Sequence, residues 1–185
     1  MKKSLKFVIL AALAVLSLSA AACAAPTFGQ PALITTAGQS IEAATVDFHF
    51  QKAKVASILD NLAKPEKLEG VQTLVIAPGH SLKGLGSAGI NETAELERVK
   101  KLVAAAVEKN IPIVCVHIGG KARRGVNSQP FIDAALEHAA CCLVYDAGNE
   151  DGYFTDFCAA HSIPLITMQK SAFLAKNLIA LFPKQ

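Results

Sequence analysis

Asn110-Ile111-Pro112-Ile113-Val114-Cys115-Val116-His117-Ile118-Gly119-Gly120-Lys121-Ala122-Arg123-Arg124-Gly125 runs from a polar helix end, through a short apolar run, into a glycine-rich basic loop. An apolar run of this length between turn residues reads as a buried strand. Pro112 stands at its start, where a missing N–H is tolerated. The same grammar returns at Ser162-Ile163-Pro164-Leu165-Ile166. Two such passages point to repeated helix-to-strand units.

Working outward, strands and helices alternate. Residues 32–36, 55–59, 71–77, 111–117, 141–145 and 163–168 read as strands. Residues 41–53, 91–109, 130–139, 153–161 and 171–182 read as helices. Asn91 caps the second of these, Glu92 and Glu95 suit its positive end, and Leu96, Val99, Val103 and Val107 form its apolar stripe. Glu97 faces Lys101 one turn on, and Ser128 stands where it can cap the next helix. The segment 78–89, rich in glycine, reads as a loop, and 60–70 as loop or one helical turn. This alternation predicts an α/β fold: a single doubly wound, mostly parallel sheet of five or six strands, in flavodoxin-like or Rossmann-like order.

The N-terminus has its own grammar. Lys2, Lys3 and Lys6 precede an apolar run from Phe7 to Leu18 and then small residues, the pattern of an export leader. The expected division is a signal peptide over 1–22, a tether over 23–31 and one domain over 32–185, placing the protein in the periplasm or outside the cell. Cys23 opens a second reading, an acylated lipoprotein anchor. The whole chain has 18 basic and 15 acidic residues, and removing the three leader lysines leaves 15 against 15. A neutral domain gives no footing for nucleic acid, and no segment after the leader is apolar and long enough to span a membrane.

Four further cysteines, Cys115, Cys141, Cys142 and Cys158, fall on strands or a helix and read as small buried hydrophobes. A bridge from Cys115 to Cys141 or Cys142 is the other reading. No CxxC pair is present.

In a parallel sheet every strand-to-helix loop opens on one edge, where ligands bind. Here those loops carry Gly38, Gln39, Ser40, Gly79, His80, Ser81, Lys83, His117, Gly119, Gly120, Arg123, Arg124 and Asn149, the candidate binding residues. Glycines let backbone N–H groups approach a ligand, and guanidinium forks suit carboxylate or phosphate. The expected partner is therefore a small ligand with an anionic group, held by Arg123 or Arg124. His80 and His117 lack metal-ligand spacing, so no metal is expected. No G-x-S-x-G elbow marks a nucleophile. A binding module is the leading expectation. The alternatives are a hydrolase or transferase acting on a phosphate- or carboxylate-bearing substrate, and a protein-interaction domain.

The segments 79–90 and 116–125, with Asn149-Glu150-Asp151-Gly152-Tyr153-Phe154-Thr155 and Ile163-Pro164-Leu165, resemble a family of uncharacterised secreted bacterial domains. The resemblance covers roughly 31–170 and implies no activity or catalytic residue. Separately, Thr35-Thr36-Ala37-Gly38-Gln39-Ser40 is similar to the flavodoxin phosphate loop, with Ala37 where a Thr commonly stands. That likeness implies flavin mononucleotide as a further candidate cofactor.

Overall fold

The computed structural model describes residues 26–184. The expected leader, its cleavage site and Cys23 lie outside the described residues. Six strands, β1 (Ala32–Ala37), β2 (Ser57–Leu59), β3 (Thr73–Pro78), β4 (Ile113–His117), β5 (Ala139–Tyr145) and β6 (Leu165–Met168), form one sheet. Its order is β2-β1-β3-β4-β5-β6, and every pairing is parallel. This is the open α/β architecture expected, in flavodoxin-like order.

Alternate residues of the inner strands serve opposite layers. Leu33, Leu74, Ile76, Ile113, Cys115, Cys142 and Val144 pack on one face. There they meet α3 (Glu92–Glu108), α4 (Gln129–Leu136) and α5 (Tyr153–Ala160). Ile34, Val75, Val114, Val116 and Leu143 pack on the other, beneath α1 (Glu42–Ala53) and α6 (Leu174–Leu181). With both faces covered, the inner strands read as continuous apolar runs. Leu165 and Ile166, on the edge strand, are only half-buried.

Four local expectations are corrected. The segment 78–89 is not all loop, because Leu82–Ala88 forms a short helix, α2. The Ser81 side chain caps it by accepting from the Gly84 N–H, and Leu85 anchors it. Gly84 is required there, since a Cβ would stand 1.9 Å from the Gln39 carbonyl oxygen. The buried stripe of α3 is rotated toward Glu95, Arg98, Val99, Leu102, Val103 and Ala106, leaving Val107 exposed. Ser128 does not cap α4; its hydroxyl accepts from the His80 N–H instead. Lastly, the chain packs on the domain before position 31. Phe28 is buried, its ring 5.6 Å from that of Phe182, and its N–H donates to the Leu181 carbonyl.

The four cysteines after the leader are free and buried. Cys115 stands in register with Cys142, while Cys141 faces the opposite layer.

Candidate functional site

Strand order reverses between β1 and β3, and their carboxyl ends should frame a crevice. The chain closes that crevice with its own backbone. Gly79 N–H donates to the Ala37 carbonyl at 2.8 Å and Ser81 N–H to the Gly38 carbonyl at 2.9 Å, and Gln39 pairs with His80 as an antiparallel bridge. Gly38 makes the turn possible at φ +96°, where a Cβ would stand 2.6 Å from the Gly79 carbonyl oxygen.

Beneath this turn lies a buried ion pair. Glu95 Oε1 accepts from the Gly38 N–H at 3.0 Å and from Gln39 Nε2 at 3.1 Å. Arg98 grips both oxygens of Glu95, each at 2.8 Å, and donates to the carbonyls of Ala63 and Thr36. One guanidinium thus ties the end of β1, the β2–β3 connection and α3 together. The consequence for a phosphate is direct. Donors that a flavin phosphate would need already serve Glu95, whose negative charge would oppose a second anion.

The next loop carries the more open chemistry. Arg123 lies across the glycines of two loops: a Cβ on Gly79 would stand 3.3 Å from its Cδ, and one on Gly119 only 2.2 Å from its Cγ. Its Nε donates to Glu42 Oε1 at 2.9 Å, and its Nη1 to the His80 carbonyl at 3.0 Å. Among the described residues, no hydrogen-bond partner occupies Glu42 Oε2 or the Ser40 hydroxyl, though both atoms are buried. Burial alone would push the Glu42 carboxyl up; the nearby Ser40 hydroxyl and the Arg123 guanidinium outweigh it and hold the group below the usual range. Two unfilled polar atoms therefore lie at Arg123, beside glycines that leave no room for a side chain.

The other predicted residues divide. Gly38, Gln39, Ser40, Gly79, His80, Gly119 and Arg123 come together. Ser81 caps α2, and Lys83 is exposed on that helix. Arg124 turns away, bonding Asp151 at 2.7 Å and Gln129 at 3.2 Å with its guanidinium near the rings of Tyr153 and Phe154. Asn149 serves α5, accepting from the Phe154 N–H and donating to the Thr155 hydroxyl. Gly120 packs against Tyr145. His117 is fully buried, its Nδ1 3.3 Å from the Pro78 carbonyl and its Nε2 unpartnered. Burial pushes its ionisation down to about 4, against the hydrogen bond to Pro78. Since a carbonyl only accepts, Nδ1 holds the proton and Nε2 presents a lone pair.

Sequence reasoning missed Glu42 and Arg98, and it gave Glu95 only a helix-end role. Arg98 and Glu95 did carry a signal: both share a helical face with Val99 and Leu102, an apolar stripe where an unpaired charge could not sit. Glu42 carried none, because its partner is 81 positions away.

The arrangement can hold a polar molecule; its capacity for covalent chemistry is poor. Ser40 has no hydrogen-bonded base among the described residues, and His80 Nε2 is engaged with Glu92 at 2.5 Å. Burial pushes the Cys141 thiol up to about 11. No three His, Cys, Asp or Glu side chains of the described residues cluster as metal ligands, and no helix there is long and apolar enough to cross a membrane. Two open clefts, of about 590 Å³ beside Lys64, Ile90 and Lys101 and about 740 Å³ between α3, α4 and α5, are lined by none of the predicted residues.

The class defined so far is a doubly wound α/β domain with a small polar site at the carboxyl edge of its sheet. The chain belongs to the family described as Domain of unknown function (DUF6305), whose model matches residues 29–182. No curated protein matches it. Among solved structures, it is similar to a mutant of the esterase AlinE4 at 7% identity, covering 87% of this chain and 85% of that one with a TM-score of 0.30. A likeness that slight carries no argument.

Proposed function

We propose that this domain is a binding module for a small molecule bearing both an anionic group and a hydroxyl or amine donor. The ligand inserts between Arg123 and Glu42. Its anion takes the guanidinium, and its donor meets Glu42 Oε2 and the Ser40 hydroxyl. The observation that carries the reading is the pair of buried, unpartnered oxygens at Arg123. Buried polar atoms left unpaired cost about 1–3 kcal/mol each, and a ligand with matching groups removes that cost. Arg123 is the partly exposed member, so it can move aside without unpacking the core.

A thermal-shift panel of hydroxy- and amino-carboxylates tests this. A ligand at about a hundredfold excess over its Kd should add about 2.7 kcal/mol of stability. Arg123→Ala and Glu42→Gln should each weaken the strongest binder by about 2–5 kcal/mol, whereas Arg124→Ala should leave it unchanged. The opposite pattern, loss with Arg124→Ala alone, would move the site elsewhere and end this reading.

A further inference from the structure

Three large apolar side chains stand out on the described surface: Val126, Ile41 and Leu82, at 84%, 73% and 71% exposure. Scattered singly they would need no explanation. They are not scattered. Ile41 follows β1, Leu82 follows β3 and Val126 follows β4, so all three belong to the edge that carries Arg123 and Glu42. Each also opens a helical segment: Ile41 is the cap position of α1, Leu82 the first residue of α2, and Val126 the first of a 3-10 turn. Such positions usually favour small polar residues or acids.

Contacts already described bring the three around one spot. Ile41 adjoins Glu42, which bonds Arg123. Leu82 is two residues from His80, whose carbonyl accepts from Arg123 and whose N–H is bonded by Ser128. Val126 is two residues from that Ser128. The polar site therefore has an aliphatic rim built from three separate loops.

Resting on the binding reading above, we infer that the ligand between Arg123 and Glu42 carries an aliphatic chain, which lies on Ile41, Leu82 and Val126. Charge selects this occupant over an anionic bilayer. The cations of the edge, Lys121, Arg123 and Arg124, each face a carboxylate, in Glu150, Glu42 and Asp151. Glu92 and Asp146 add further negative charge there, which leaves no basic surface for lipid headgroups. A small molecule meets a different environment. Its head finds a local charged pair, and its chain finds apolar surface within reach of that head.

Calorimetric titration with lactate and its longer straight-chain 2-hydroxy homologues, kept below micelle-forming concentrations, tests the inference. Affinity should rise about two- to fourfold per added methylene. A variant combining Ile41→Ser, Leu82→Ser and Val126→Ser should flatten that series. Lactate binding with no dependence on chain length in the unaltered protein would overturn the chain site and leave the binding reading standing. No binding by any homologue, lactate included, would overturn both. Two results would assign the rim to another occupant and also overturn it: co-sedimentation with phospholipid vesicles, or a concentration-dependent dimer, lost in either case in the combined variant.

Discussion

Two glutamate–arginine pairs sit at the same edge of this sheet, and they are built to opposite specifications. In Glu95–Arg98 the side chains are 0% and 7% exposed, and both carboxylate oxygens are bonded by the guanidinium. Further partners come from β1, its following loop and the β2–β3 connection. In Glu42–Arg123 the exposures are 14% and 27%, and one carboxylate oxygen has no partner. A buried ion pair is tolerated when its remaining lone pairs and protons are satisfied. The first pair meets that condition and behaves as scaffold. The second has hydrogen-bonding capacity to spare, and spare capacity is what a ligand can use.

The comparison breaks first, if it breaks at all, at Arg98. Arg98→Ala strands the Glu95 carboxylate in a site with no access to water, and removing one partner of a buried pair costs about 3–5 kcal/mol. Urea unfolding should register a loss of that size. Replacing both residues, with Glu95→Leu and Arg98→Met, should recover part of it, because no charge is then stranded. A loss below about 1 kcal/mol for Arg98→Ala would make the two pairs equivalent.

The parts of this architecture that were legible in the sequence are those governed by local pattern. The run from Ile111 to His117 predicts a strand because its apolar residues are continuous and Gly119 ends it, and the structure places it as β4 inside the sheet. Parallel topology then sends every strand-to-helix loop to one edge, so the neighbourhood of the site follows without any contact being known. What does not follow is pairing. Arg123 and Arg124 are adjacent and chemically identical, yet one reaches Glu42 and the other Asp151. Tertiary placement alone decides which. Helix α2 was hidden by Gly84, Gly86 and Gly89, residues that argue for a turn in isolation. The capping Ser81 and the close approach to Gln39 override them.

A smaller effect sharpens the contrast from a third group. His117 is as buried as Glu95, yet its Nε2 is as unpartnered as Glu42 Oε2. Its ionisation falls from an ordinary 6.5 to about 4 in the folded protein. Between those values the unfolded chain binds the proton and the folded one does not, so stability rises with pH across the window and is lost as pH falls through it. The full effect is about 3 kcal/mol. Carboxylates titrate in the lower part of the same range, so the measurement is a difference: urea unfolding of the unaltered protein against His117→Asn, from about pH 7 to about pH 4. The unaltered protein should lose more. Parallel curves would show that a ligand-free Nε2 is not held neutral by burial, and His117 would leave the group of constrained edge residues.

The smallest expected effect is the most discriminating. Arg123→Ala removes a pair that is partly open to solvent, and such pairs contribute about 0–1 kcal/mol. The sign has two parts. Glu42 loses the charge that helps hold its carboxyl low, so the stability it contributes above the unfolded carboxylate range, lost as pH falls through its lowered folded value, shrinks. Against this, retracting the side chain from between Gly79 and Gly119 lets water reach the Ser40 hydroxyl and Glu42 Oε2, which relieves two unpaired atoms. These terms oppose each other, so the net change at neutral pH should stay within about 1 kcal/mol, with a weaker dependence on acid than in the unaltered protein. A double-mutant cycle with Glu42→Gln isolates the pair itself and should return a coupling below about 1 kcal/mol, where the cycle on Glu95 and Arg98 returns several-fold more. Equal couplings would make Arg123 a second scaffold strap, and a residue locked into the fold in that way could not part from Glu42 to admit a ligand.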